Sequence, residues 1–229
     1  MVEQIAGCQP PPAAGLVRVL HAELKRIANH LDVAVRLADA AGLAVATARF
    51  ALHKERVQRL VSALCGSRFG RGVVVPGGVG SLPRLPPAQI LAEAGKLRKA
   101  ITADADALMS TSSFLDRLRD TGPLTPARAR QHGAPGPIGK TSGYADDARL
   151  ARPYDGYRSL TLPPVPAHAA GDALARLRVR WEEADQAFGL IRQAVENLAE
   201  RPGDPARLPC EPIRGRAAGW AEGPQGEVL

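Results

Sequence analysis

Aromatic residues are scarce, at 4% of 229 residues. Cysteine is scarcer still: Cys8, Cys65 and Cys210 stand far apart, and an odd, sparse count excludes a secreted disulfide scaffold and suits the cytoplasm. No cysteines are spaced CxxC. The five histidines, His21, His30, His53, His132 and His168, include no HExxH pair, so no metal site closed by this chain alone is expected. No stretch approaches the roughly 18 apolar residues of a membrane helix. The opening MVEQIAGCQPPPAAG lacks a basic region followed by an apolar one, so no signal peptide is expected. Long basic runs are missing as well. The formal net charge is +7, but arginine is dispersed among acids, with no cationic stripe interleaved with aromatics, and nucleic-acid binding is not expected.

What the chain does have is helical periodicity. From Ala14 to Ala40, Leu16, Leu20, Leu24, Ile27, Leu31 and Ala38 recur at three- and four-residue spacing. A second helix is expected from about Thr47 to Leu64, with Leu52, Val57, Leu60, Val61 and Leu64 facing inward and Gly66 as its cap. Gly72-Val73-Val74-Val75 reads as a strand entering the turn Pro76-Gly77-Gly78. A long helix is expected from Pro87 to Leu118, then a short one after Thr125, with Pro126 at its first position. The last long helix runs from Asp172 to Ala199, its stripe unbroken from Leu174 through Trp181 and Phe188 to Leu198. The Pro/Gly-rich tail from Arg201 ends in a strand expected to begin at Glu227.

Polar residues of three kinds stand out. Gly139-Lys140-Thr141 has the ending of a phosphate-binding loop, but the first glycine of that motif falls on Ala134. Pro135 and Pro137 also remove two amides a phosphate would need, so no nucleotide site is expected. Glu23, Arg26 and His30 form a row beside the apolar face of the first long helix, either a solvated flank with local ion pairs or a charged row facing a buried site. Asp172, Arg176 and Arg180 open the last helix at four-residue spacing, and Glu183 lies near the same side. Asp172 fits an N-cap, and the arginines either pair on the surface or, for Arg176 or Arg180, anchor Asp146, Asp147 or another acid of the stretch before the helix, with Glu222 and Glu227 as further candidates. The stretch 133–157 between these helices reads as an extended connection, with Asp147, Arg149, Tyr154 and Tyr157 as its fasteners to the Arg-rich start of the last helix.

These segments, in this order, resemble the family that joins the large subunit of membrane-bound energy-converting nickel–iron hydrogenases with the D subunit of NADH-quinone oxidoreductase (respiratory complex I). The matching stretches are HAELKRIANHL from His21, HKER around Glu55, CGSRFGRGVVVPGGV from Cys65, TGPLTPARARQHGAPGPIGKTSG, DDARLARPYDGY, GDALARLRVRWEE and AEGPQGE. The resemblance implies a mainly α fold, a bundle of long helices with a small β element, in one domain over 1–229 that forms the core of a longer one. It implies an iron–sulphur subunit of the hydrogenase-small-subunit type as partner, and a place beside the cytoplasmic membrane through further subunits. Quinone- or NADH-linked oxidoreductase activity would then belong to the assembly. A nickel–iron centre, or a quinone, is the family's cofactor. The cysteine pairs that hold the metal in hydrogenases are expected before Met1 and beyond Leu229, so no complete cofactor site is expected here.

The departures are specific. Gln225 stands where the family has arginine, Lys140-Thr141-Ser142-Gly143 replaces R-A-S-G, and Ala187 replaces a serine. By motif match the candidate cavity-lining or proton-relay residues are Glu23, Arg26, His30, Glu55, Arg68, Asp147, Arg149, Asp172, Arg176 and Arg180. The alternative role is a non-catalytic scaffold that keeps the helical core and the partner surface.

Overall fold

The computed structural model describes residues 1–144, 146–166, 168–211 and 213–228. After a one-turn helix α1 (Val2–Ile5), the first long helix α2 runs Pro12–Ala40. Pro12 sits in its first turn, where the missing N–H costs no hydrogen bond. Helix α3 (Ala44–Cys65) returns beside it and stops at Gly66, whose left-handed φ of 81° suits glycine. Strands β1 (Val74–Val75) and β2 (Gly78–Val79) form a small antiparallel hairpin. Then come α4 (Pro87–Met109), α5 (Ser112–Leu118), α6 (Pro126–Gln131), α7 (Gly136–Thr141), α8 (Ala148–Ala151), a 3-10 turn over Asp155–Ser159, and the last long helix α9 (Ala173–Ala199). A second antiparallel hairpin, β3 (Ala221–Gly223) and β4 (Gly226–Val228), completes the described chain. The mainly α class read from the sequence is the class observed.

The apolar stripes explain the packing. Leu20, Leu24, Ile27 and Leu31 of α2 meet Phe50, Val57 and Leu64 of α3, Ile90 and Ile101 of α4, and Leu177, Phe188 and Ile191 of α9 in one buried cluster. Each such side chain taken from water contributes roughly 1.5–3 kcal/mol, so these stripes decide which helices lie together. Helix α2 is central: it packs along both α3 and α9, and the 3-10 turn covers its N-terminal half.

Several expectations need correction. The helix expected over Pro87–Leu118 is two. Ser110 Oγ and Thr111 Oγ1 both donate to the carbonyl of Ala107, at 2.8 and 3.1 Å, and Thr111 turns extended to cap α5. The break shifts the phase, so Phe114 and Leu118 are buried and Leu115 only partly so. Leu52, expected inward, is exposed. The stretch 133–157 is not extended throughout but holds α7, α8 and the 3-10 turn. The C-terminal strand starts at Gly226, one residue early, and pairs with β3, which periodicity does not reveal. Its expected end at Leu229 lies outside the described residues.

The 3-10 turn touches α2 backbone to backbone. A Cβ on Gly156 would come within 2.5 Å of the Gly15 carbonyl oxygen. Gly156→Ala is therefore expected to destabilise the protein by about 1–3 kcal/mol. Urea denaturation of the variant measures this, and an unchanged midpoint would mean that the contact yields freely.

Candidate functional site

The row Glu23, Arg26 and His30 is turned neither to solvent nor into the apolar cluster. All three are at most 1% exposed. Helix α9 supplies a facing row, Arg180, Glu183 and Gln186, at three-residue spacing. Two helices side by side, with polar rows beside their apolar seam, form a trough, and the segment from α7 to the 3-10 turn fills it with Lys140, Asp147, Arg149 and Tyr157. Hairpin β3–β4 closes one side.

Arg149 is the hub. Its Nε and Nη2 donate to the two oxygens of Asp147 at 3.0 and 2.8 Å, a bidentate pair. Nη1 donates to Glu23 Oε1 at 3.0 Å, and Nη2 also donates to Gln186 Oε1 at 2.8 Å. The Tyr157 hydroxyl donates to the same Glu23 oxygen, while Arg26 Nε donates to Oε2 at 3.1 Å. Arg26 then spends its remaining donors on the carbonyls of Glu222 and Gly223, at 2.8 and 3.0 Å, and so pins the hairpin. Lys140 Nζ bridges Asp147 at 3.0 Å and Glu183 at 2.8 Å.

His30 sits between charges and stays neutral. Arg180 Nη1 can only donate, so His30 Nδ1, 3.1 Å away, accepts. Nε2 therefore carries the hydrogen and donates to Glu183 Oε2 at 2.9 Å. Burial lowers the His30 pKa to about 4, outweighing the pull of Glu183. Burial pushes Glu183 up, but His30, Lys140 and Arg26 outweigh it and bring it to about 2. Burial also opposes ionisation of Asp147 and Glu23. The hydrogen bonds and charge of Arg149 hold Asp147 well below the carboxylate range, and Arg26 and Arg149 keep Glu23 below its ordinary value. The Tyr157 hydroxyl is pushed well up by burial and by Glu23.

Glu222 is different. Burial, and then the charge of Asp147, raise its pKa. Its Oε2 accepts the Ala148 N–H at 3.0 Å, but its buried Oε1 has no partner among the described residues. Four buried cations (Arg26, Lys140, Arg149, Arg180) thus face three carboxylates held ionised, and ionisation of Glu222 brings the cluster to neutrality.

Of the ten candidates, the fold brings together Glu23, Arg26, His30, Asp147, Arg149 and Arg180. Glu55 and Arg68 pair with each other on the surface, away from the trough. Asp172 is the N-cap of α9, accepting the N–H groups of Ala175 and Asp120 at 2.8 and 3.0 Å. Arg176 donates to the carbonyls of Gly122 and Gly171. Among the described residues no ion pair joins Arg176 or Arg180 to Asp146 or Asp147; Lys140 and Arg149 take both oxygens of Asp147. The connection is fastened to the middle of α9 and to α2, not to the start of α9. Lys140, Glu183 and Gln186 belong to the trough but not to the candidate set drawn from the sequence, and Glu222 enters from the sequence only as a partner for Arg176 or Arg180. Glu183 and Gln186 continue the three-residue series begun at Arg180, which is the signal the sequence offers for them. Lys140 is masked by the phosphate-loop look of its neighbours.

Residues 41–212 match the family profile described as the respiratory-chain NADH dehydrogenase, 49 Kd subunit. The chain belongs to this family. It is 30% identical over 230 residues to a carbon monoxide-induced hydrogenase of Rhodospirillum rubrum, covering 100% of this chain and 63% of that relative. It is 32% identical over 229 residues to the NADH-quinone oxidoreductase D subunit of Syntrophobacter fumaroxidans, covering 99% of this chain and 58% of the relative. A chain in the structure of the membrane-bound sulfane sulfur reductase, an archaeal respiratory membrane complex, superposes with a TM-score of 0.89 at 25% identity, over 99% of this chain and 63% of that one. The family resemblance read from the motifs is thus shown. The chain spans less than two thirds of the length of these relatives. Among the described residues no helix is long and apolar enough to cross a membrane, and no three His, Cys, Asp or Glu side chains converge as metal ligands. The donor set for a nickel–iron centre is therefore not found among them.

Arg149→Ala would leave Asp147 and Glu23 buried with too few partners, and a loss of about 3–5 kcal/mol in folding stability is expected. Chemical denaturation checks it; a loss typical of exposed pairs, below ~1 kcal/mol, would show a solvated cluster. The histidines set a pH dependence. The folded-state pKa of His30, and that of the largely buried His21, lie near 4, below the ordinary 6.5. Between these values the unfolded chain binds protons that the folded chain refuses, so stability falls as pH drops from 6.5 towards 4. His30→Gln should make that slope shallower in denaturation midpoints measured across the window.

Proposed function

We propose that this protein supports electron and proton transfer as the large-subunit component of a redox complex of the energy-converting hydrogenase or NADH-quinone oxidoreductase type. Its partner in this reading is an iron–sulphur subunit of the hydrogenase-small-subunit type, and further subunits hold the assembly beside the membrane. The candidates Glu23, Arg26, His30, Asp147, Arg149 and Arg180 brace the charged trough. Glu55, Arg68, Asp172 and Arg176 keep a structural role outside it. The observation that carries the proposal is the buried charge cluster with one carboxyl, Glu222, that has an oxygen without a partner among the described residues and a pKa raised by burial and by the charge of Asp147.

The chemistry follows from the charge balance. With its Oε2 engaged by the Ala148 N–H, Oε1 is the Glu222 oxygen left to take up a proton. A negative charge arriving on a nearby redox group of the assembly favours proton uptake by a carboxylate, and its departure favours release. The other three acids are tied to cations that lower their pKa, so they hold the geometry while Glu222 exchanges the proton. The main chain of Glu222 is clamped by Arg26 on its carbonyl and by the Tyr154 hydroxyl, which accepts its N–H at 2.9 Å. This places the carboxyl without restraining its free oxygen. The nickel–iron centre or quinone of the wider family would supply the redox chemistry; no residue described here is assigned to hold either.

A scaffold role is the second reading, favoured by Gln225. It stands at the family's arginine position and carries no charge, accepting from Arg180 at 2.9 Å and donating to Asn29 at 2.9 Å. The test is affinity purification from the native host, followed by turnover of the purified complex with reduced viologen and with NADH plus a quinone. The transfer reading expects an iron–sulphur subunit at one-to-one stoichiometry and a fall in turnover of at least ~10-fold in Glu222→Gln, with subunit composition unchanged. Unchanged turnover in an intact complex would leave the scaffold reading. A chain that purifies without an iron–sulphur subunit would overturn both.

A further inference from the structure

Outside the charged trough, two of the three cysteines meet. Cys8 follows α1, and its Sγ donates to the Pro209 carbonyl at 3.5 Å. The next residue is Cys210, whose thiol pKa is pushed up by burial and then by the neighbouring Cys8 thiol. Two residues from opposite ends of the chain are thus brought side by side.

Both thiols sit on backbone tied by hydrogen bonds: Cys8 N donates to the Glu3 carbonyl at 2.9 Å, and the residues before Cys210 bond to the first hairpin. The tail lies against the turn between β1 and β2, with Leu208 N donating to the Gly77 carbonyl and Val79 N to the Ala206 carbonyl, each at 2.9 Å. Contact there is close: a Cβ on Gly77 would sit 2.2 Å from the Leu208 oxygen and 3.0 Å from the Cys210 Cβ. On the other side, Glu3 of α1 accepts from Gly77 N at 2.9 Å and from Arg18 Nη2 at 2.6 Å, which fixes the helix that Cys8 follows. Each thiol is partly exposed, so a small oxidant reaches it. Cys65 is elsewhere, with its Sγ against the Val61 and Ser67 carbonyls at 3.2 and 3.3 Å.

We propose that Cys8 and Cys210 are a redox modification site that closes to an intramolecular disulfide by exchange with a small disulfide such as oxidised glutathione. One thiolate attacks a glutathione sulfur and expels one glutathione thiolate, leaving a mixed disulfide. The second thiolate attacks the protein sulfur of that mixed disulfide and expels the other glutathione. The two protein thiols lose two electrons and two protons, and one oxidised glutathione becomes two reduced ones. The new bond ties α1 to the C-terminal tail. Cys8 also lines a cleft of about 730 Å³ with Arg18, Tyr154, Asp155 and Trp220. The disulfide adds a covalent tie to one wall of that cleft, which the reduced chain holds by hydrogen bonds alone. The inference is independent of the role proposed for Glu222.

The experiment is equilibration of the purified chain in glutathione redox buffers, acid quenching, and peptide mapping by mass spectrometry without reduction. The expected product is a linked pair of peptides containing Cys8 and Cys210, with the intact chain lighter by two hydrogens and its melting temperature above that of the reduced chain. Cys65→Ser should form the link as the parent does. Cys8→Ser and Cys210→Ser should instead take up a single glutathione at the remaining partner. The parent map alone decides the matter if a variant fails to fold. Separate glutathione adducts on Cys8 and Cys210 without a link, a link through Cys65, or only intermolecular dimers would each overturn the proposal.

Discussion

One guanidinium organises the polar half of this molecule. Arg149 has no exposed side-chain surface, yet it neutralises Asp147 and Glu23 and holds Gln186. An isolated ion moved into such a site would cost several kcal/mol even after relaxation. The cost is offset only when every donor and acceptor finds its partner together. That condition couples three elements distant in sequence: α2 through Glu23, the connection through Asp147, and α9 through Gln186 and Glu183. The hairpin joins through Arg26 and Glu222. The trough therefore forms as a unit, and the interior is specified by charge as much as by shape.

The two sides of the α2–α9 pair have different physics. On one side, aliphatic stripes pack without direction, and moderate changes of shape there are tolerated. On the other, distances near 3 Å and the donor count of each side chain leave few alternatives. His30 shows how strict this is. Between Arg180 and Glu183 only one neutral tautomer satisfies both neighbours, and burial opposes the charged form. Glu222 is the one carboxyl of the cluster whose bonds are incomplete among the described residues, and burial and the charge of Asp147 raise its pKa.

The relatives of this chain are named for hydrogenase, quinone oxidoreductase and sulfane sulfur reductase complexes, and it resembles all three over nearly its whole length. A shared fold does not carry a shared reaction; the difference lies in residues grafted onto it. In this chain Lys140 bridges two carboxylates of the trough, and Gln225 brings no charge to Arg180.

The long helices are legible because a buried stripe repeats every three or four residues whatever it packs against. Leu16 to Ala38 and Leu174 to Leu198 need no partner to be recognised. The caps are legible for the same local reason: Gly66, Thr125 and Asp172 act on backbone groups a few residues away. Order and spacing of motifs are enough to recognise the family. The break at Ser110-Thr111 is not legible, because those hydroxyls compete with a helix only once Phe114 has a core to enter. The polar row of α2 has two readings, flank or buried site. Periodicity gives the direction of a side chain but not what stands opposite. Only the fold decides that Lys140 meets Asp147 and Glu183, that Arg176 serves two carbonyls, and that Glu55 and Arg68 stay outside. The sequence by itself determined the helices, their apolar faces and the kinship of the chain. Which charges neutralise which was settled by the tertiary structure, since ion pairing depends on distances between segments that local pattern does not contain.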